Sequence, residues 1–228
     1  FGPFFTDRHR TPWGPAINLD GPGSDAVRDT ILQAAAWWVR DVGADGLRVD
    51  ACHALVDQRP RHVLAELTDH VHAVRPGVRL VAESGLNDPG VVRAEHAGGW
   101  GFDADWADDF HHALRTLLTD DRRGWLVDFG ELAHLAKAFD RPLVHDGTWS
   151  GYRDRTFGAP ASDVDPARFV VFSQNHDQVG NRPRGDRLPR AARPLAALCT
   201  LFSPSIPMLF MGEEHGEDAP FQFFTDHL

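Results

Sequence analysis

The chain has 228 residues, 33 of them acidic and 23 basic, for a net charge of −10. That balance excludes a phosphate-backbone binder, which needs a cationic surplus to release counterions. It favours a neutral ligand such as a sugar over an acidic one. No apolar run reaches the length of a membrane span, and no signal peptide is visible. Cys52 and Cys199 are far apart and read as buried thiols of a reducing, cytoplasmic setting rather than as a disulfide.

In chain order, residues 1–23 are rich in Gly, Pro and aromatics and read as a long loop. Ser24 is a suitable cap for the helix that follows, with Asp25 in its first turn. Val27, Ile31, Ala34, Ala35, Trp38 and Val39 recur at helical spacing and define its inner face. Gly43 and Gly46 stop it, and DGLRVD begins a strand expected to be buried. A second amphipathic helix runs through Val63, Leu64, Leu67, Val71 and Val74 and ends at Pro76-Gly77. Strands follow near 79–83, weakly near 100–105, near 169–173 and near 207–211. Helices are expected from about 105 to 118, within 126–139 and from 195 to 202. Residues 140–165 read as a loop excursion over the substrate. Arg182 to Arg193 carries five arginines and reads as a solvated surface. Helices feeding directly into strands indicate an α/β architecture.

Three strands each end on an acid. Arg48 and Asp50 are two residues apart, on one side of their strand; Glu83 follows Leu80-Val81-Ala82; His176 and Asp177 follow the run from Phe169. An isolated Arg-x-Asp is more often a structural ion pair. Three acids at C-terminal strand ends match where a (β/α)8 barrel keeps its chemistry. Retaining glycoside cleavage needs two carboxyls about 5–5.5 Å apart in opposite protonation states. Arg48 keeps Asp50 charged, as a nucleophile requires. Glu83 has an apolar run before it and no cation adjacent in sequence, as an acid/base requires.

These segments resemble the second, third and fourth sequence regions of the α-amylase superfamily of glycoside hydrolases. Within it the chain is similar to the maltooligosyltrehalose trehalohydrolases, through AESGLNDP, GFDADWADDFHHAL, VVFSQNHDQVGNR and MLFMGEEHGEDAPFQFF, and the likeness runs from Phe1 to His227. The resemblance implies the C-terminal portion, about strands four to eight, of a (β/α)8 TIM barrel. Residues 1–228 would be a partial catalytic domain, with strands one to three upstream of Phe1. It implies Asp50 as nucleophile, Glu83 as general acid/base and Asp177 as stabiliser of the oxocarbenium-like transition state, with His176 on the sugar beside it. Where many relatives carry Lys-His, this chain has His53-Ala54, which fits the trehalohydrolases better.

Arg48, His53, His176, Asn175, Trp106 and Asp109 complete the expected substrate-binding set. Asn175 could orient Asp177, and a lone His such as His53 is more often a structural hydrogen bonder. The aromatics of GGWGFDADWADDF serve core packing as readily as sugar stacking. The implied reaction is hydrolysis of the α-1,4 bond next to the trehalose end of maltooligosyltrehalose. It needs no cofactor, and the substrate-making synthase would be the pathway partner. Rivals are an amylase, a glycogen branching enzyme or a non-catalytic carbohydrate binder. No HExxH spacing supports a metal, and no Gly-x-Ser-x-Gly supports a serine nucleophile.

Overall fold

The computed structural model of the chain describes residues 3–222. Its internal packing divides it into two compact units that meet in sequence at Trp106 and Ala107. The end of the MLFMGEEHGEDAPFQFF stretch, Phe223 and Phe224, lies outside the described residues.

The first unit opens with a hairpin where a loop is expected. Strand β1 (Phe5–Thr11) pairs antiparallel with β2 (Gly14–Ile17). The Thr11 hydroxyl closes the turn, donating to the Gly14 carbonyl and accepting the Trp13 N–H, both at 3.2 Å. Helix α1 (Ser24–Arg40) starts one residue earlier than a Ser24 cap would allow. Gly23 is its cap residue, in the left-handed conformation at φ 75°, and no side chain caps the helix. Its inner stripe is Val27, Arg28, Ala36 and Val39. Trp38, expected inside, is half exposed, because the stripe centres on Ala36 rather than on Ala34 and Ala35.

Strand β3 (Gly46–Val49), helix α2 (Val63–Val74), strand β4 (Arg79–Ala82) and strand β5 (Ala104–Trp106) follow. The three strands are parallel, with Leu47 opposite Leu80 and Val81 opposite Ala104. Gly46 is needed for this approach, since a Cβ there would lie 2.8 Å from the Arg79 carbonyl oxygen. Leu64, Leu67 and Val71 of α2 bury with Leu80, Ala82 and Phe102. Leu47 and Val49 are only half-buried, contrary to expectation. Among the described residues β3 pairs on one side only, with β4.

The second unit begins with α3 (Asp108–Thr119) and α4 (Leu132–Asp140), packed through Phe110 and Phe139, whose ring centres are 5.5 Å apart. Residues 140–165 contain a second unexpected hairpin, β6 (Thr148–Ser150) with β7 (Arg155–Phe157). Asp128 anchors its turn by accepting the Ser150 hydroxyl at 2.5 Å and the Gly151 N–H at 2.9 Å. Strand β8 (Phe169–Val171), the short helix α5 (His176–Gly180), helix α6 (Arg193–Leu201) and strand β9 (Ile206–Pro207) complete it. Strands β8 and β9 are parallel, Val170 opposite Ile206 and Val171 opposite Pro207. The strand expected over 207–211 therefore shrinks to two residues. Pro207 has no N–H to donate, and the Met208 N–H makes the last bond, to the Val171 carbonyl at 2.9 Å.

The arginine-rich segment is solvated only in part: Arg184 and Arg190 are exposed, but other arginines are engaged. Arg187 donates to the Met211 and Ala219 carbonyls, both at 2.9 Å, and Arg193 donates to Asp218 at 2.8 Å. These contacts clamp the polar run after β9.

In the first unit, Arg28 joins α1 to α2 and to the preceding loop. It is 2% exposed and donates to Asp57, to Glu66 at 3.1 Å, and to the Leu19 and Arg61 carbonyls at 3.1 and 3.0 Å. Removing one partner of a buried ion pair strands the other charge, at a cost of about 3–5 kcal/mol. Arg28→Met, which keeps volume and removes charge, should therefore lower the unfolding free energy by about that amount. Urea denaturation would measure it, and an unchanged midpoint would contradict the network's structural role.

Candidate active site

The site residues of the first unit sit where β3 and β4 end. After Val49 the chain carries Asp50, then Ala51 in the left-handed conformation at φ 45°, then a 3-10 turn over Cys52–Ala54. A non-glycine residue in that conformation costs on the order of 1 kcal/mol or more. Glu83 compensates: its Oε2 accepts the Ala51 N–H at 2.6 Å and its carbonyl accepts the Cys52 N–H at 2.9 Å. The Glu83 N–H in turn donates to the Val49 carbonyl at 2.9 Å. The loop bearing Asp50 is thus shaped by the residue bearing the second acid.

Arg48 reaches both carboxylates. Nη1 donates to Asp50 Oδ1 and Nη2 lies 3.8 Å from Glu83 Oε2. Asp50 is open, its side chain 74% exposed, whereas that of Glu83 is 16% exposed. The expectation that Glu83 lacks a neighbouring cation is corrected here. Sequence distance hid a guanidinium that the parallel register brings beside it. Burial, not the presence or absence of Arg48, is what separates the two acids.

The same guanidinium lies over the Trp106 ring, 4.5 Å from its centre, a cation–π contact. Trp106 is 9% exposed, so it supports Arg48 and is not an open platform for a sugar, which corrects the sequence reading. His53 is exposed and accepts the Gly85 N–H on Nδ1 at 3.2 Å, so its proton is on Nε2, a donor available to an incoming hydroxyl. Behind the acids, burial pushes the Cys52 thiol up to about 12, with the Asp105 carboxylate adding to it, so it is an inert packing group.

In the second unit, Asn175 precedes α5 and its side chain accepts the Gln178 N–H at 2.7 Å. It acts on Asp177 through the backbone, by capping the helix that carries it. His176 Nε2 lies 3.4 Å from Asp177 Oδ2, and both side chains are about one-third exposed. His111 braces the approach to them. Burial holds it well below the usual imidazole range, and its neutral ring meets the Ser173 carbonyl through Nδ1 at 2.6 Å. Glu213 Oε1 accepts from the Ser173 hydroxyl at 2.7 Å and from the Gln174 amide at 2.5 Å.

Asp109 does not take the substrate-binding place expected of it. It is 3% exposed and accepts the His145 N–H at 2.8 Å, with His112 Nδ1 3.6 Å away. Burial raises its pKa, but these partners outweigh burial and hold the carboxyl below its usual value. It is a structural acid of the α3 end.

A cavity of about 300 Å³ in this unit is lined in part by Asp177, Gln178, Arg115, Asp121, Trp125 and Arg182. Sequence reasoning missed all of these but Asp177. The arginine and acid runs at 120–123 and 182–187 were the only signal, and they read equally as surface. Among the described residues no group of three or more His, Cys, Asp or Glu is arranged to hold a metal ion, and no helix is long and apolar enough to cross a membrane.

Known proteins match the chain along its whole length. It is 48% identical to a malto-oligosyltrehalose trehalohydrolase of Arthrobacter ramosus over 100% of this chain and 41% of that protein. It is 44% identical to one of Saccharolobus solfataricus over 99% of this chain and 40% of that protein. The resemblance to the trehalohydrolases is established. The chain thus spans about 40% of the length of these curated relatives. A crystal structure titled putative alpha amylase, from Salmonella typhimurium, superposes with a TM-score of 0.88 at 38% identity, over 99% of this chain and 40% of that one. The alpha-amylase of Geobacillus thermoleovorans, at 20% identity and TM-score 0.63, shows the fold alone. The α/β fold is therefore that of a portion of an α-amylase-type (β/α)8 barrel. No family model matches the chain.

Asp121 gathers three arginines: Arg123 at 2.8 Å, Arg182 at 3.0 Å and Arg115 at 3.6 Å. The Arg123 hydrogen bond, reinforced by Arg182 against the opposing effect of burial, holds its carboxyl far below the usual range. A depressed folded-state pKa means stability that is fully present above the unfolded value, near 4, and lost as pH falls through the folded value. Asp121→Asn should destabilise the protein by about 2–3 kcal/mol at pH 7. The difference from the unaltered protein should shrink steadily below about pH 4. Denaturant midpoints between pH 7 and pH 2 would show it; a difference constant with pH would refute the charge-based account.

Proposed function

We propose that the chain carries the catalytic carboxylates of a retaining glycoside hydrolase acting on maltooligosyltrehalose. It would cleave the α-1,4 bond next to the trehalose end and release trehalose. The observation that carries this is the Arg48 guanidinium set against both Asp50 and Glu83 at the ends of adjacent parallel strands. Within such a pair the open, charge-paired Asp50 attacks the anomeric carbon. The more buried Glu83 protonates the departing oxygen and then takes a proton from water. Asp177, with His176 beside it, stabilises the oxocarbenium-like transition state. His53 Nε2–H is placed to donate to a sugar hydroxyl, and Arg48 fixes the direction of Asp50.

Residues 1–228 are, in this reading, part of one catalytic (β/α)8 domain. The relatives named above supply the substrate identity, and the synthase that makes maltooligosyltrehalose is the enzyme that would feed this one. Two free cysteines, Cys52 and Cys199, support placement in the cytoplasm. Trp106 and Asp109, both buried, are left out of the substrate-contacting set in this reading. The 38% identity to the structure titled putative alpha amylase favours one second reading, cleavage of plain α-1,4-glucan.

Asp50→Asn should lower kcat by at least about a thousandfold, because the charge is lost while the volume is kept. Glu83→Gln should cost about 10²–10⁴-fold on maltooligosyltrehalose, with most of the loss recovered on a substrate whose leaving group needs no protonation. Equal slowness on both substrates would remove Glu83 from the acid role. Product chromatography after incubation with maltotriosyltrehalose, and separately with maltopentaose, decides the substrate. Free trehalose from the first with little cleavage of the second supports the proposal; comparable cleavage of both supports the second reading.

A further inference from the structure

The stretch from Ser173 to Asn175 carries the chain from β8 to Asp177, and each of its residues is held. Ser173 is 4% exposed and Gln174 1%. His111 Nδ1 donates to the Ser173 carbonyl at 2.6 Å, and the Asn175 side chain caps α5. The Ser173 hydroxyl and the Gln174 amide nitrogen converge on one oxygen of Glu213, Oε1, at 2.7 and 2.5 Å. The other oxygen, Oε2, accepts the Phe210 N–H at 2.8 Å, and the Glu213 N–H returns to the Phe210 carbonyl at 2.9 Å. Glu213 is thus fastened to the segment after β9 and reaches across to the segment after β8, its parallel neighbour.

Only a carboxylate suits this place. An ionised carboxyl carries acceptors alone, so it meets all of these donors at once, and hydrogen bonds to it are stronger than neutral ones. An amide of the same shape fails in either orientation. With its oxygen toward Ser173 and Gln174, its NH2 group faces the Phe210 N–H. Turned round, it faces the Gln174 amide nitrogen, and Gln174 cannot turn in response because its Oε1 accepts the Leu188 N–H at 2.7 Å. The strand end would then shift, and α5 (His176–Gly180), which bears Asp177, begins directly beyond it. A displacement of about 1 Å at a reacting group can cost about a hundredfold in rate.

We infer that Glu213 is a positioning residue: it acts through Ser173 and Gln174 to fix the start of α5 and, with it, the direction of Asp177. It touches no substrate. This rests on the glycosidase reading above, in which Asp177 stabilises the transition state, and it gives a task to a carboxylate that the reaction itself does not use. The adjacent Glu214 has the same chemistry but is exposed, which makes it the internal control. The test is kcat and KM on maltotriosyltrehalose and on maltopentaose. Glu213→Gln should lower kcat on the cleaved substrate by about ten- to a hundredfold with KM within about threefold, because ground-state contacts remain while the transition state loses its stabiliser. Glu214→Gln should leave both unchanged. Added to Asp177→Asn, Glu213→Gln should lower kcat by less than about twofold further, since the group it positions is already gone.

Loss of the full factor in the Asp177→Asn background would mean general damage to the fold and would overturn the positioning role. Ser173→Ala, which removes one bridged donor and little volume, should lower kcat by about three- to tenfold. It covers the case in which Glu213→Gln does not fold, and an unchanged kcat in Ser173→Ala would then overturn the role. Hydrolysis by the unaltered protein with no difference between Glu213→Gln and Glu214→Gln would overturn the positioning role while leaving the proposed activity standing. If the unaltered protein cleaves neither substrate, the glycosidase reading and the positioning role fail together.

Discussion

One guanidinium holds the first unit's site together. Arg48 touches Asp50 and Glu83 at once and lies on the Trp106 ring. Each contact limits a different freedom. The ring fixes the plane of the guanidinium, the plane fixes where its nitrogens lie, and the nitrogens fix the two carboxylates. Acids brought together repel each other, and a cation set against both offsets that repulsion and fixes their directions. The register of β3 on β4 is what makes the contact possible, because it sets both acids one step beyond paired strand ends.

The left-handed Ala51 shows how the loop obeys this constraint. Its conformation is unfavourable for any residue with a Cβ, and Glu83 is the residue that holds it, through Oε2 on the Ala51 N–H and its carbonyl on the Cys52 N–H. One side chain therefore serves as an acid and as a brace. The second unit divides those tasks differently. Asp177 is left half open, and the bracing falls to Asn175 at the helix cap, His111 on the Ser173 carbonyl and Glu213 on Ser173 and Gln174.

The positions of Asp50, Glu83 and Asp177 after strands were legible in the sequence because each follows an apolar run that reads as a strand. The α/β alternation was legible for the same reason. The hairpins were not: β1–β2 is crowded with Pro, Gly and charged residues, and β6–β7 is three residues long on each side, too short for alternation to register. Trp106 and Asp109 were misjudged because an aromatic or an acid has the same sequence signature whether it faces a ligand or an internal partner. Only packing shows that Arg48 occupies the one and the His145 N–H the other. Arg182, Arg187 and Arg193 were misjudged likewise, since each has an acceptor about 24 to 61 residues away.

That the acceptors are so often shared explains a feature of the composition. Lys137 is the one lysine among 23 basic residues. Arg28 spans Asp57 and Glu66, Arg61 spans Asp69 and Glu95, Arg182 spans Asp121 and Asp186, and Arg48 spans Asp50 and Glu83. A planar fork with donors along two edges can satisfy two carboxylates in fixed directions, whereas an ammonium is a point charge on a flexible stem. In a chain with ten more acids than bases, a cation that can hold two acids is well suited. Not every arginine is used in this way: Arg115 faces one carboxylate, Asp121 at 3.6 Å, and its Nε and Nη1 are buried without a hydrogen-bond partner among the described residues.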